Sequence, residues 1–402
     1  MSAILGLRDV ESLDADARPG FFEEEVYKHW KDHRVFQALT SRLGGRRKVT
    51  DPEFTVFEQD VPGRRFFIND AGNYDADDTV LTVDDGAGTS GCAKYFRAGM
   101  VVVVGGTPAS GELLIVAEDP SSATQITVLR GQLDSTADAI LNNAALTILH
   151  DASAEGGNVP GAVTEEPVAR TNYIGVIQTP WYLTEMMGNT KTKYGQNEAN
   201  RQRGNALWQH SLDVELALLY GRKAYKTDAT SGTRVRTTGG LAYWMTAAGI
   251  NTLDASSTNF TTAAWYAFIE AITEGSAQKV FLLGQTLYSS LHKVAREEGS
   301  IQITAYANKY GFSLERMKSA GPELLLARHP LLTKLFPGDG FILDLPMLRY
   351  YYMLNTTERN VILGDNVLTQ KKVFVTEPGL RFVHPRAFGY VYGNTTHTPA
   401  AA

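Results

Sequence analysis

The chain has 402 residues, 43% of them hydrophobic and 20% charged, which is enough to bury more than one core. A formal net charge of −6 excludes a protein that wraps nucleic acid by broad phosphate neutralisation, and the single cysteine, Cys92, excludes an intrachain disulfide. The N-terminus has no basic region leading into an apolar run, and no window approaches the ~18 consecutive apolar residues of a membrane span, so neither a signal peptide nor a spanning helix is expected.

Residues 1–20 are small, polar and acidic and predict an extended arm. Residues 21–43 read as a helix: Phe22, Val26, Trp30, Val35, Leu39 and Leu43 recur near helical spacing, acids fill the first turn, and Gly44-Gly45 ends it. A strand-rich region opens at 54–60. Within 79–149, five short β-like runs (80–83, 100–104, 112–116, 126–129 and 145–149) are separated by Gly, Pro, Asp and Asn, which predicts a small all-β module. The Gly-containing stretch 152–161 is its exit, and 173–178 reads as a strand.

Residues 198–223 predict one long helix, about 40 Å at 1.5 Å per residue. Leu207, Val214, Leu218 and Gly221 fall on one face, and Leu212, Leu216 and Leu219 widen the stripe. Asn197 offers a polar start, and Arg222 and Lys223 complement the dipole at the other end. Such a helix between β-rich flanks suits a spine. Residues 227–236 read as a polar loop, and Gly239-Gly240-Leu241 opens the next element. A helix is expected at 261–273, with Trp265, Phe268, Ile269 and Ile272 on one face, and another at 285–297. Strands are expected at 280–283, 324–327, 340–345, 348–354, 373–376, 380–383 and 388–392. The class is α+β, with no repeat of solenoid period.

Chemistry-bearing motifs are sparse. Gly86, Gly88 and Gly91 form a GxGxxG, which in a dinucleotide site follows a strand and opens a helix. The strand is there, but 92–100 is short and runs straight into 101–104, so a β-turn loop is the competing reading. His29 and His33 stand at i and i+4, without the neighbouring Glu of a zincin or a third ligand, and read as an exposed pair. Asp75, Asp77, Asp78, Asp84 and Asp85 lack the calcium-loop pattern. Cys92 has no base beside it and reads as a packed residue. His329-Pro330 and His384-Pro385 read as structural turns, because nothing else completes a site around them. The residues therefore predict no catalytic group, no cofactor and no metal.

The order of parts says more. Segments 169–188 (ARTNYIGVIQTPWYLTEMMG), 200–221, 237–241 (TTGGL), 321–353 and 376–393 (TEPGLRFVHPRAFGYVYG) resemble the major capsid proteins of tailed bacteriophages with the Hong Kong 97-like fold. The resemblance implies an N-terminal arm and helix over 1–53 and an E-loop region over 54–180 that carries the inserted β module 79–149. It further implies a P-domain with the spine helix over 181–260, a mainly A-domain segment over 261–354, and returning strands and tail over 355–402. It implies a coat subunit of the virion, assembled in the host bacterial cytoplasm into hexamers and pentamers of an icosahedral shell, with Leu207, Val214, Leu218 and Gly221 as the assembly face of the spine. The implied partners are further copies of the chain, a portal, a cement protein and double-stranded DNA held non-specifically, with no membrane. The stretch before residue 54 is too short for a fused scaffolding domain, so a separate scaffolding protein is expected. Two other readings stand beside this one: the shell of a cellular nanocompartment with the same fold, and a nucleotide-dependent enzyme using the 86–91 loop. A β-rich module binding host glycans or protein is a third.

Overall fold

The computed structural model describes residues 36, 45–59, 63–70, 72–86, 91–105, 111–133, 135–152, 161–164, 166–190, 197–230, 232–248, 251–255, 260–298, 302–309, 312–318, 321–362 and 369–394. The chain divides into two compact units. One comprises Met1–Val56 with Arg170–Ala402, and the other comprises Phe57–Ala169. Of the expected first helix, only Phe36 lies within the described residues. It is helical and fully buried, although the expected apolar face omits it. His29 and His33 lie outside the described residues.

The smaller unit is a closed antiparallel barrel. Its strand order is Arg65–Ile68, Val80–Asp84, Gln125–Leu129, Glu112–Val116, Met100–Val104, Ala145–Asp151. Alternate residues point inward and fill it: Leu81 and Val83, Val102 and Val104, Leu114 and Val116, Ile126 and Val128, Leu146 and Ile148. Cys92, Ala93 and Phe96, on or beside a short 3-10 turn, join the same core. The five expected runs are strands, but the barrel starts earlier than residue 79. Arg65–Ile68 pairs with both Val80–Asp84 and Ala145–Asp151 and closes the cylinder. Four residues, RFFI, are too few for alternation to stand out in sequence.

The larger unit is built on a mixed seven-stranded sheet. Its order is Thr252–Asp254, Gly389–Tyr392, Gly340–Leu343, Gln278–Leu283, Glu323–Arg328, Phe312–Lys318, Gln302–Lys309. Helices cover both faces, which is why its central strands read as continuous apolar runs. Phe281, Leu283, Leu324, Leu326 and Ile342 face the helices Thr262–Ala271 and Gln285–Glu298, packing on Trp265, Ile269, Leu287 and Leu291. Val280, Leu282, Leu325, Phe341 and Leu343 face the other way, toward Val214, Leu218 and Leu219 of the long helix Glu198–Tyr220 and toward Leu241 and Met245. The N-terminal half of that helix lies on a three-stranded sheet, Ile177–Thr184, Thr369–Thr376 and Thr357–Asn360, where Ala206 meets Trp181, Leu183 and Phe374. A second small sheet pairs Arg46–Lys48, Leu348–Tyr352 and Pro378–Phe382.

Two expectations are corrected here, and one element was not expected. Residues 173–178 are not one strand: Val168–Tyr173 ends before Ile177–Thr184 begins. Residues 227–236 are not simply a loop, because Ala224–Thr227 and Arg234–Thr237 pair as an antiparallel hairpin. Its strands are exposed on both faces and leave no alternation to read. The hairpin Gln302–Lys309 with Phe312–Lys318 has no counterpart among the expected elements.

Candidate functional site

No described residues form a group of three His, Cys, Asp or Glu side chains able to hold a metal ion, and no described helix is long and apolar enough to cross a membrane. The loop from Gly86 to Gly91 departs from a dinucleotide fingerprint at its far end. The element that follows is a four-residue 3-10 turn, Cys92–Tyr95, rather than an α-helix offering several free N–H groups. Residues 87–90, Gly88 among them, lie outside the described residues. Burial, reinforced by Asp85 and Asp84, pushes the Cys92 thiol up, away from a nucleophilic thiolate.

The spine is where the sequence and the structure meet. The helix starts at the Asn197 cap, whose side chain accepts the Ala199 N–H at 2.9 Å. Glu198 in its first turn takes Arg201 and Gln202. Val214 and Leu218 are buried in this unit's own core, whereas Leu207 is 42% exposed. Gly221 is not helical but caps the end, with φ −56° and ψ 142°. A Cβ there would stand 2.2 Å from the Ala217 carbonyl oxygen and 2.6 Å from that of Thr238. The helix end rests directly on the Gly239-Gly240 backbone, and Gly240 N–H donates to Gly221 O at 2.8 Å. The proposed face therefore separates into two core anchors, one exposed leucine and one close-approach glycine.

Buried polar groups on and around the spine join segments far apart in sequence. Asn172 donates to the carbonyl oxygens of Gly239 (3.1 Å) and Leu380 (2.8 Å), and its Oδ1 accepts the Gly239 N–H at 2.9 Å. Segments 169–188, 237–241 and 376–393 thus converge on one side chain. His210 lies between Thr179 (Nδ1, 3.0 Å) and Thr376 (Nε2, 2.6 Å), tying the helix to the three-stranded sheet. Burial outweighs nearby Asp213 and holds its pKa below the ordinary histidine value.

Glu215, fully buried, accepts the backbone N–H of Phe36 at 2.6 Å and the Nε2–H of His329 at 2.9 Å. The Nδ1 of His329 caps the helix Pro330–Leu335 by accepting from Leu331 and Leu332, which fixes the proton on Nε2. The His329-Pro330 turn is therefore structural, as its sequence suggests. Asp339 accepts from the hydroxyls of Tyr220 (2.8 Å) and Tyr390 (3.1 Å) and from Gly393 N–H, binding segment 321–353 to the helix end and the last strand. Burial and the Asp339 carboxylate push both phenols far above their usual range. Lys279, 1% exposed, donates to the carbonyls of Ile272, Glu274 and Ala387 at 2.5 to 2.8 Å.

These groups were absent from the sequence expectations, although signals were there. Glu215 interrupts an apolar stripe between Val214 and Leu218, and Lys279 interrupts the run QKVFLL. Their geometry is that of structural ties: each of these donors meets an acceptor from a distant segment of the same fold.

A profile of the SU10 major capsid protein family matches residues 29–395. Among characterised relatives, the chain is 23% identical over 290 residues to the major capsid protein of Pseudomonas phage PaMx41, an alignment spanning 69% of this chain and 66% of that one. Among solved structures, it is similar to the capsid of the native GTA particle (TM-score 0.45, 7% identity, 98% of this chain and 100% of that one). It is also similar to a chain of Gordonia phage Cozz (TM-score 0.43, 13% identity, 100% and 99%). The family match runs over both compact units and through every segment that meets at Asn172, Glu215 and Asp339, and the chain belongs to the SU10 major capsid protein family.

Proposed function

We propose that the chain is the coat subunit of a tailed-phage head with the Hong Kong 97-like fold, self-assembling into hexamers and pentamers of an icosahedral shell around double-stranded DNA. The observation that carries the reading is the family match over residues 29–395. The long helix and the helix-covered sheet give the larger unit the continuous core such a subunit needs, and residues 57–169 form a separate barrel unit within the same chain. In this reading the domains divide at 1–53, 54–180, 181–260, 261–354 and 355–402, and Leu207 is the spine residue available to a neighbouring copy. The host cytoplasm is the site of assembly, and a separate scaffolding protein and a portal are the accessory partners.

The test is particle size. Full-length chain, expressed with and without the other head proteins of its phage, is examined by sedimentation and negative-stain microscopy. Shells, rings or tubes tens of nanometres across are expected, and a monomer or small oligomer under every condition refutes the coat reading. Correct shells from the chain alone refute the separate scaffold. The barrel is proposed to brace the shell in place of a cement protein. Shells that keep their heat resistance after residues 65–151 are replaced by a short linker refute that role.

A further inference from the structure

The hairpin beyond the spine helix concentrates positive charge, and its two strand arginines are not paired with carboxylates among the described residues. Arg222, Lys223, Lys226, Arg234 and Arg236 stand against Asp228 alone, so 222–236 holds a net +4 in a chain of −6. Its strands, Ala224–Thr227 and Arg234–Thr237, form a two-stranded sheet of their own and are largely exposed on both faces. The register sets Tyr225 opposite Arg236 and Thr227 opposite Arg234, so one ring and two guanidiniums share a face. The guanidinium carbons lie 5.1 Å (Arg236) and 5.8 Å (Arg234) from the Tyr225 ring centroid. Stacking on the ring holds both side chains extended and reduces the entropy lost when they bind. Neither guanidinium has a carboxylate partner among the described residues. Lys223 differs: its ammonium donates to Thr171 Oγ1 at 2.6 Å and lies over Tyr173 and Trp244.

We propose that this ribbon is a sequence-independent contact for the phosphate backbone of double-stranded DNA. Side chains two apart on one strand stand about 6.8 Å apart, so Arg234 and Arg236 present two planar forks in a row, each suited to one phosphate. Thr227 and Thr230 add hydroxyl donors of the kind that contact phosphate, and 222–237 contains no Asn or Gln to read adenine edges. An acidic peptide would use the same charges but has no need of a regular row of forks. The net −6 of the whole chain makes such a contact local: the ribbon attracts DNA while the rest of the chain, with a formal charge of −10, does not. The proposal rests on the coat reading, because it supplies the point at which an acidic shell subunit holds its cargo.

The experiment measures binding of the full-length chain to a labelled short random duplex by fluorescence anisotropy between about 50 and about 200 mM salt. Losing two phosphate contacts in Arg234→Gln/Arg236→Gln should lower the slope of log K against log salt by roughly 1.8 and weaken binding at least about tenfold near 0.1 M. Arg234→Lys/Arg236→Lys, which keeps the charge, should keep most of the slope. An unchanged slope in the Gln variant, or polyglutamate displacing the duplex at equal charge concentration, overturns the proposal. Particle size of the Gln variant is read in parallel. Normal shells with unaltered DNA binding defeat the ribbon proposal alone, whereas wild-type chain that never assembles defeats the coat reading.

Discussion

Replacing Gly221 with Ala tests whether the spine is held at its end by backbone contact. The glycine has φ −56° and ψ 142°, a conformation open to any residue, so Ala carries no dihedral penalty there. Restricting the unfolded chain would by itself stabilise the variant by about 0.4–1 kcal/mol. Opposing this, the new Cβ would stand 2.2 Å from Ala217 O and 2.6 Å from Thr238 O. Both are backbone atoms and cannot swing aside, so the helix end and the Gly239-Gly240 strap must part. Overpacking of this kind costs about 1–3 kcal/mol, and loosening the 2.8 Å bond from Gly240 N–H to Gly221 O adds about 1 kcal/mol. The net expectation is a loss of about 2 kcal/mol. The assay is urea unfolding followed by tryptophan fluorescence. Trp30, Trp181, Trp208, Trp244 and Trp265 all lie outside Phe57–Ala169, so the signal reports the larger unit and leaves the barrel silent. Leu207→Ala, at an exposed position, should move the midpoint by less than about 1 kcal/mol. A Gly221→Ala chain as stable as wild type, or more stable, refutes the argument that close approach demands glycine.

In the barrel, Arg130 holds Glu112 by two 2.8 Å bonds and also reaches the carbonyls of Asp75, Asp78 and Asp138. Arg130→Met should destabilise the barrel by about 3–5 kcal/mol, because it strands a buried carboxylate, and limited proteolysis within 57–169 would report it. Burial alone would raise the Glu112 carboxyl, but hydrogen bonds from Arg130, Gly131 N–H and Asp138 N–H hold it below its usual range. That contribution is full above the unfolded carboxylate value and is lost as pH falls through the lowered folded one, so acid unfolding of the barrel should lose this dependence in Glu112→Gln. At the spine, Glu215→Ala leaves the N–H groups of Phe36 and His329 without this acceptor and should cost about 3 kcal/mol by thermal melting, while Glu215→Gln keeps an oxygen and should cost less. Burial, only partly offset by Asp344 and Glu274, lowers the Lys279 ammonium from 10.5 to about 8. Between those values the unfolded chain binds more protons, so stability of the larger unit should rise with pH, by about 1.6 kcal/mol from pH 8 to 9.5, and the rise should vanish in Lys279→Met.

What was legible in the sequence followed from how many faces of an element are buried. Most barrel strands alternate because one face meets a core and the other water, whereas Met100–Val104 is buried on both faces and shows as an apolar block, so all but the four-residue Arg65–Ile68 were visible as runs. Central strands such as Gln278–Leu283 showed as apolar blocks because helices cover both sides. Thr262–Ala271 was legible because Trp265, Phe268 and Ile269 form one uninterrupted face with a Thr261 cap. The Ala224–Thr227 and Arg234–Thr237 hairpin was not, because an element exposed on both faces leaves no hydrophobic pattern. The spine was legible as a helix but not in its roles. Its buried face carries His210 and Glu215, whose polarity hides the stripe, and Gly221 belongs to a cap that only the distant Gly240 explains. Partners such as His329 and Phe36 for Glu215 lie 114 and 179 residues away, a separation that no local period encodes.

The same distances explain why a coat subunit would keep polar groups at such buried positions. Apolar cores tolerate repacking and gain stability from many alternative arrangements, whereas a buried hydrogen-bonding group is satisfied in few geometries and is costly in the rest. Asn172 is satisfied only when 169–188, 237–241 and 376–393 are in register. Asp339 requires the helix end at Tyr220 and the last strand at Tyr390 to arrive together, and Lys279 requires the turn after Thr262–Ala271 to meet Ala387. Each tie adds little net stability, because desolvation offsets most of the bond. Each also raises the energy of a misaligned subunit by the full cost of an unpaired buried group. A shell is assembled from many copies of one chain, and an error in the angle between segments is repeated at every contact. Selection on such a protein therefore acts on uniqueness of shape as much as on stability. In this chain the side chains that meet that demand are Asn172, Asp339 and Lys279, each tying together segments far apart in sequence.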